Sequence, residues 1–135
     1  MKSRILRTAT VLASAAVCVL LAVPASAAAP SKATFTLSKV GAEVNSLLPL
    51  PKLTTLKCDP PGGTHPDREA ACAVLAKANG DFNKIEPLQG RVCTLQYMPI
   101  TVRADGKWHG RDVEWEAKFP NECAANVATA NLYNY

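Results

Sequence analysis

Cys58-Asp59-Pro60-Pro61-Gly62-Gly63-Thr64-His65-Pro66, with Ala71-Cys72-Ala73-Val74-Leu75 following after four residues, joins a rigid turn, a helix start and a cysteine pair in one segment. The Pro-Pro-Gly-Gly run forces the turn. Pro66 with Asp67 and Glu69 supplies a first helical turn, because proline needs no amide partner there and acids suit the helix dipole. Ala70, Ala71, Val74, Leu75 and Ala78 make one apolar face, and Asn79-Gly80 offers a C-terminal stop, which predicts a helix over Asp67 to Ala78. Cys72 on that helix would be tied to the preceding strand through Cys58. The segment reads as a stapled scaffold and carries no catalytic motif.

The start of the chain bears on compartment. Lys2, Arg4 and Arg7 form a positive start, Val11 to Val23 is apolar apart from Ser14, and Ala25-Ser26-Ala27 is a small-residue cleavage site. Residues 1–27 therefore read as a secretory signal peptide, and 28–135 as one exported, extracellular domain. The 13-residue apolar run is too short to span a bilayer, so no membrane partner is expected. Val17 before Cys18 does not fit a lipid-attachment site. Of the 15 Lys and Arg, three would leave with the signal, and 12 then face 11 acids. With no basic cluster and scattered aromatics, nucleic-acid binding is set aside.

Four cysteines remain, Cys58, Cys72, Cys93 and Cys123, an even number that in a short exported chain argues for disulfides. Three connectivities are open. Cys58 with Cys72 and Cys93 with Cys123 is favoured because neighbouring pairs close the shorter loops, contributing roughly 3 and 4 kcal/mol in the chain-entropy picture. A metal site from Cys58, His65, Cys72 or His109 lacks any C-x-x-C spacing, and no metal or cofactor is expected.

Elsewhere, alternation predicts a strand over Thr34 to Val40 with Phe35 and Leu37 on one side, and another over Leu53 to Cys58. Gly41 to Lys52 is a connector ended by Pro49 and Pro51. Phe82, Ile85 and Leu88 are core contacts beneath a loop. Ile100 to Arg103 and Lys107 to Phe119 read as strands joined through Ala104-Asp105-Gly106, since Asp-Gly is a hairpin signal. Val113, Trp115, Ala117 and Phe119 alternate with Glu114, Glu116 and Lys118, so one face of that strand is apolar and one solvated. Asn121 to Val127 is expected as a short helix and Ala128 to Tyr135 as a last strand. In Val92-Cys93-Thr94-Leu95-Gln96-Tyr97-Met98-Pro99, an apolar residue stands two positions after a cysteine in an extended, surface-exposed pattern. Taken alone, Leu95 and Tyr97 also read as strand residues packing inward.

The pattern Cys-x-Pro, two residues, Gly-x-His-Pro, four residues, Ala-Cys is filled by Cys58, Pro60, Gly63, His65, Pro66, Ala71 and Cys72. With Asn79-Gly80-Asp81-Phe82-Asn83, Val92-Cys93, Asp105-Gly106-Lys107-Trp108 and Asn121-Glu122-Cys123, it resembles the subtilisin inhibitor-like family of secreted serine protease inhibitors. The resemblance implies an α+β fold with a five-stranded antiparallel sheet, two helices and two disulfides paired between neighbouring cysteines. It further implies a homodimer formed through the sheet and an extracellular subtilisin-type protease as partner. It also implies a reactive bond two residues after the third of these cysteines, joining Leu95 to Gln96. Leu95 would fill the protease's primary pocket, with Val92, Cys93, Thr94, Tyr97 and Met98 in the contacting loop. An uncharged apolar side chain there suits subtilisin-like and chymotrypsin-like pockets and not a trypsin-like one. Thr94 stands where many members of the family have proline; its β-branching stiffens the backbone less.

Two other classes bear on the same residues. Ser31, Ser38 and Ser46 sit in no Gly-x-Ser-x-Gly elbow, and a cysteine nucleophile would need an unpaired thiol, so no enzyme is expected. A binding module for a metalloprotease, or a transglutaminase-type substrate offering Gln96 or nearby lysines, is the alternative. His65 reads as a turn histidine bonded to nearby backbone, Trp108 and Trp115 as core or dimer-face packing.

Overall fold

The computed structural model describes residues 31–41 and 49–135. The expected signal segment and most of the connector after Gly41 lie outside the described residues. Five strands form one antiparallel sheet, β1 (Ala33–Gly41), β2 (Lys52–Cys58), β3 (Gly62–Gly63), β4 (Ile100–Trp108) and β5 (Arg111–Phe119), in the order β3-β2-β1-β4-β5. Two helices, α1 (Arg68–Lys77) and α2 (Glu122–Ala128), accompany it. The α+β expectation, with five strands, two helices and two disulfides, is the fold observed.

Strand alternation builds the core. Phe35 and Leu37 of β1, Leu56 of β2 and Val102 and Ala104 of β4 are fully buried on one side of the sheet. Each such large side chain contributes about 1.5–3 kcal/mol by leaving water. Leu75 of α1, Phe82, Ile85, Leu132 and Tyr133 join the same cluster. Thr34, Thr36, Glu114, Glu116 and Lys118 are exposed, so the other face is wet, as the alternation of β5 predicts.

The stapled segment folds as its residues dictate. Asp67 is the N-cap of α1 and accepts from the Ala70 amide, Glu69 lies in the first turn and Lys77 in the last, each suited to the dipole. Asn79 and Gly80 both take positive φ beyond the helix. A Cβ at Gly80 would stand 2.2 Å from the Trp108 ring, so glycine serves the stop and the close approach together. Cys58 is bonded to Cys72, joining β2 to α1, and Cys93 to Cys123. His65 is buried; its Nδ1 accepts from the Asp67 amide nearby, and its Nε2 donates to the carbonyl of Leu132, far along the chain.

Two expectations are corrected. β4 runs unbroken through Ala104-Asp105-Gly106, and the hairpin turns at His109-Gly110, with φ of 47° and 84°. Two successive positive φ values are what a two-residue hairpin of matching twist needs. Gly106 is required for a different reason: a Cβ there would lie 2.0 Å from the Thr34 carbonyl oxygen on β1. Ala128 to Tyr135 is not a strand. α2 ends near Thr129, Ala130 and Asn131 take positive φ, and the tail packs Leu132 and Tyr133 into the core. Its carbonyls meet side chains instead of a strand edge, His65 at Leu132 and Lys39 at Tyr133.

Candidate functional site

Arg91 to Pro99 has no helix or strand, and among the described residues it holds the two most exposed large apolar side chains, Leu95 and Val92, with Tyr97 and Met98 beside them. Val92 is 96%, Leu95 101%, Tyr97 72% and Met98 40% exposed. The inward-packing reading of Leu95 and Tyr97 is therefore excluded. Leaving such side chains in water stabilises nothing in the isolated fold, and a cluster of them marks a contact surface.

The loop is nevertheless held at several points. Cys93 is bonded to Cys123 in the first turn of α2. Asn121, the N-cap of α2, accepts from the Ala124 amide at 2.8 Å through Oδ1. Its Nδ2 donates to two loop carbonyls, Thr94 at 3.2 Å and Gln96 at 2.9 Å. One side chain thus grips the backbone on both sides of Leu95. The Met98 amide donates to the Pro120 carbonyl at 2.9 Å, and Ile100 enters β4 opposite Phe119. At the near end, the Leu88 amide donates to the Val127 carbonyl. Among the described residues no hydrogen-bond partner meets the Leu95 amide or carbonyl, so both are open to a second chain.

Beneath the loop lies a hollow of about 270 Å³ lined by Thr94, Gln96, Met98, Ile100, Asn121 and Cys123 among others. Val92, Cys93, Thr94, Leu95, Gln96, Tyr97 and Met98 are therefore together in one braced, outward-facing segment. Asn121 is the residue that sequence reasoning missed. An Asn two positions before a half-cystine and at a helix start is a cap beside a disulfide, and that spacing was its signal.

The remaining candidates do not converge. His65 is in the core and His109 pairs with Asp59 at 3.1 Å. Among the described residues there is no group of three His, Cys, Asp or Glu placed to hold a metal ion, and no helix long and apolar enough to cross a membrane. Trp108 and Trp115 both pack on the core, donating through Nε1 to Asn79 and Asn83.

The family profile described as Subtilisin inhibitor-like matches residues 29–121. Subtilisin inhibitor-like protein 2 of Streptomyces rochei is 40% identical over 113 residues, covering 83% of this chain and 98% of that protein. The Subtilase-type protease inhibitor of Streptomyces coelicolor is 38% identical over 113 residues, covering 83% of this chain and 77% of that protein. Among solved structures, Streptomyces caespitosus sermetstatin in complex with Bacillus licheniformis subtilisin superposes with a TM-score of 0.61 at 28% identity. That match covers 76% of this chain and 98% of sermetstatin.

Proposed function

The chain belongs to the subtilisin inhibitor-like family, and from that premise we propose that it is a secreted inhibitor of subtilisin-type serine proteases, not an enzyme, acting through the bond Leu95-Gln96. The observation that carries this reading is the pairing of a bare Leu95 with a backbone gripped on both sides by Asn121.

The physical argument concerns ordering. A flexible peptide is ordered on binding, cut and released. A loop already extended escapes most of that cost, and after cleavage its new ends stay in place, so hydrolysis stalls or reverses. Cys93 holds the acyl side through α2, and Asn121 ties the carbonyls of Thr94 and Gln96, one from each side of the bond, to the same helix start. Leu95 fills the primary pocket. Thr94 and Val92 lie in the subsites before it, Gln96, Tyr97 and Met98 after it, and the open amide and carbonyl of Leu95 pair with protease backbone. Standard-size contacts of this kind reach very high affinity because so little is left to order.

Residues 1–27 act as the export signal, so N-terminal sequencing of secreted protein should begin near Ala28. The same reading includes a homodimer through the wet sheet face, where Arg103, Lys107 and Lys118 interleave with Asp105, Asp112, Glu114 and Glu116. Mixed charge of this pattern can pair with itself about a two-fold axis. Sedimentation equilibrium decides it.

The test is titration of subtilisin and trypsin with parent and Leu95→Lys protein, with mass analysis after long incubation. The parent should inhibit subtilisin stoichiometrically, with one cut after Leu95. Leu95→Lys should lose about 3 kcal/mol, or 10²-fold, toward subtilisin, gain trypsin inhibition and melt unchanged. Parent protein that is digested without inhibiting overturns the reading. Binding of a metalloprotease or crosslinking enzyme, untouched by Leu95→Lys, would favour the alternative.

A further inference from the structure

We propose that Lys39 is a positioning residue for the Leu95 loop, fixing the start of α2 against the central strand; the inference rests on the inhibitory reading of that loop. Ala33, Phe35, Leu37 and Lys39 share the inward side of β1, and Lys39 is only 4% exposed. A lysine at an apolar core position is costly unless its charge is paired and hydrogen-bonded. Its Nζ meets both demands, donating to Glu122 Oε1 at 2.5 Å and to the Tyr133 carbonyl at 3.0 Å, and it lies 4.7 Å from the centroid of the Tyr135 ring.

Glu122 stands between Asn121 and Cys123, the two residues that hold the loop. These braces fix the loop only relative to the first turn of α2. That helix has seven residues, too few to persist without tertiary support, and only Ala125 of them is buried. Apolar burial therefore does little to anchor its start. The Lys39–Glu122 pair makes the connection, running from the central strand of the sheet to the residue between the braces, while the bond to Tyr133 ties the tail to the same ammonium. The ammonium is buried and the Glu122 side chain is 56% exposed, so their attraction exceeds that of a fully exposed pair while one partner stays in contact with water and salt.

Lys39→Met keeps the volume and removes the charge, and Glu122→Gln removes its partner at an exposed position that tolerates change. Both variants should raise the subtilisin inhibition constant and the rate of cleavage after Leu95 by about tenfold, the double variant no more than the larger single, because the two act through one contact. Amide exchange at Ala124 and Met98 should accelerate in both. A melting temperature lowered by Lys39→Met with inhibition and cleavage within about twofold of the parent, or effects that add in full, overturns the proposal. If Lys39→Met does not fold, Glu122→Gln carries the test alone. Parent protein that fails to inhibit removes the inhibitory reading instead, and amide exchange then decides Lys39: no acceleration at Ala124 and Met98 overturns its positioning role.

Discussion

Cys58–Cys72 and Cys93–Cys123 have nearly equal Cα separations, 5.6 and 5.7 Å, and opposite surroundings. The first lies in the core, where Cys58 and Cys72 are 1% and 8% exposed, beside buried Leu56, Ala71 and Leu75. It adds covalent closure to a region that packing already holds. The second joins an irregular loop to the exposed first turn of a short helix, where few buried side chains are available. There the link does what packing cannot. A contact surface must leave its apolar side chains in water, so its shape has to come from bonds to backbone: a disulfide, the two carbonyls held by Asn121, and the Met98 to Pro120 bond.

The largest expected effect breaks the second region alone. Replacing Cys93 and Cys123 by Ala should speed cleavage after Leu95 by roughly 10²-fold or more, since the ordering cost returns to the binding step. Peptide mapping after subtilisin treatment measures it. Replacing Cys58 and Cys72 by Ala should instead cost about 3 kcal/mol of stability in denaturant titration, with inhibition per folded molecule unchanged. If the two pairs give the same phenotype, the division between them is wrong.

Asn121→Ala sharpens the comparison at one residue. Loss of the cap should cost about 1 kcal/mol of stability, and loss of the two carbonyl bonds should raise the inhibition constant about tenfold. Differential scanning calorimetry and inhibition titration separate the two effects.

The smallest effect concerns alkaline pH. Burial pushes the Tyr133 phenol well above its ordinary value, helped by the neighbouring Tyr135 and Asp105, and burial pushes Tyr135 up as well. Because these folded-state values exceed the unfolded ones, their stability contribution is complete below about pH 10 and falls as the pH rises beyond it. Tyr133→Phe should flatten that alkaline loss, followed by circular dichroism, without altering inhibition at neutral pH.

Much of the fold was legible. The alternation of β1, β2 and β5, the Asp67 start and Asn79-Gly80 stop of α1 and the disulfide spacing are local or pairwise signals. Gly106 shows where such signals end. Asp-Gly in a hairpin and Asp-Gly beneath a crossing strand are identical in sequence, and only the approach of the Thr34 carbonyl separates them. The tail misled for a similar reason: Ala128 to Tyr135 has strand-like residues, but its carbonyls are met by His65 and Lys39 from distant parts of the chain.

For the candidate site, the exposed loop and its cysteine were visible, while Asn121 and Lys39 were not assigned their roles. Lys39 follows Phe35 and Leu37 at period two, so its inward direction was implicit in the pattern of β1. Local chemistry by itself determined the helix caps, the strand faces, the pairing favoured for the cysteines and the apolar residue offered after Cys93. Tertiary structure decided where the hairpin turns, that the tail fills the core, and that one asparagine and one buried lysine meet at the start of α2. Propensity and periodicity act over a few residues, whereas a hydrogen bond between Asn121 and the Thr94 carbonyl, or between Lys39 and Glu122, exists only once chain segments 27 and 83 positions apart have been brought together.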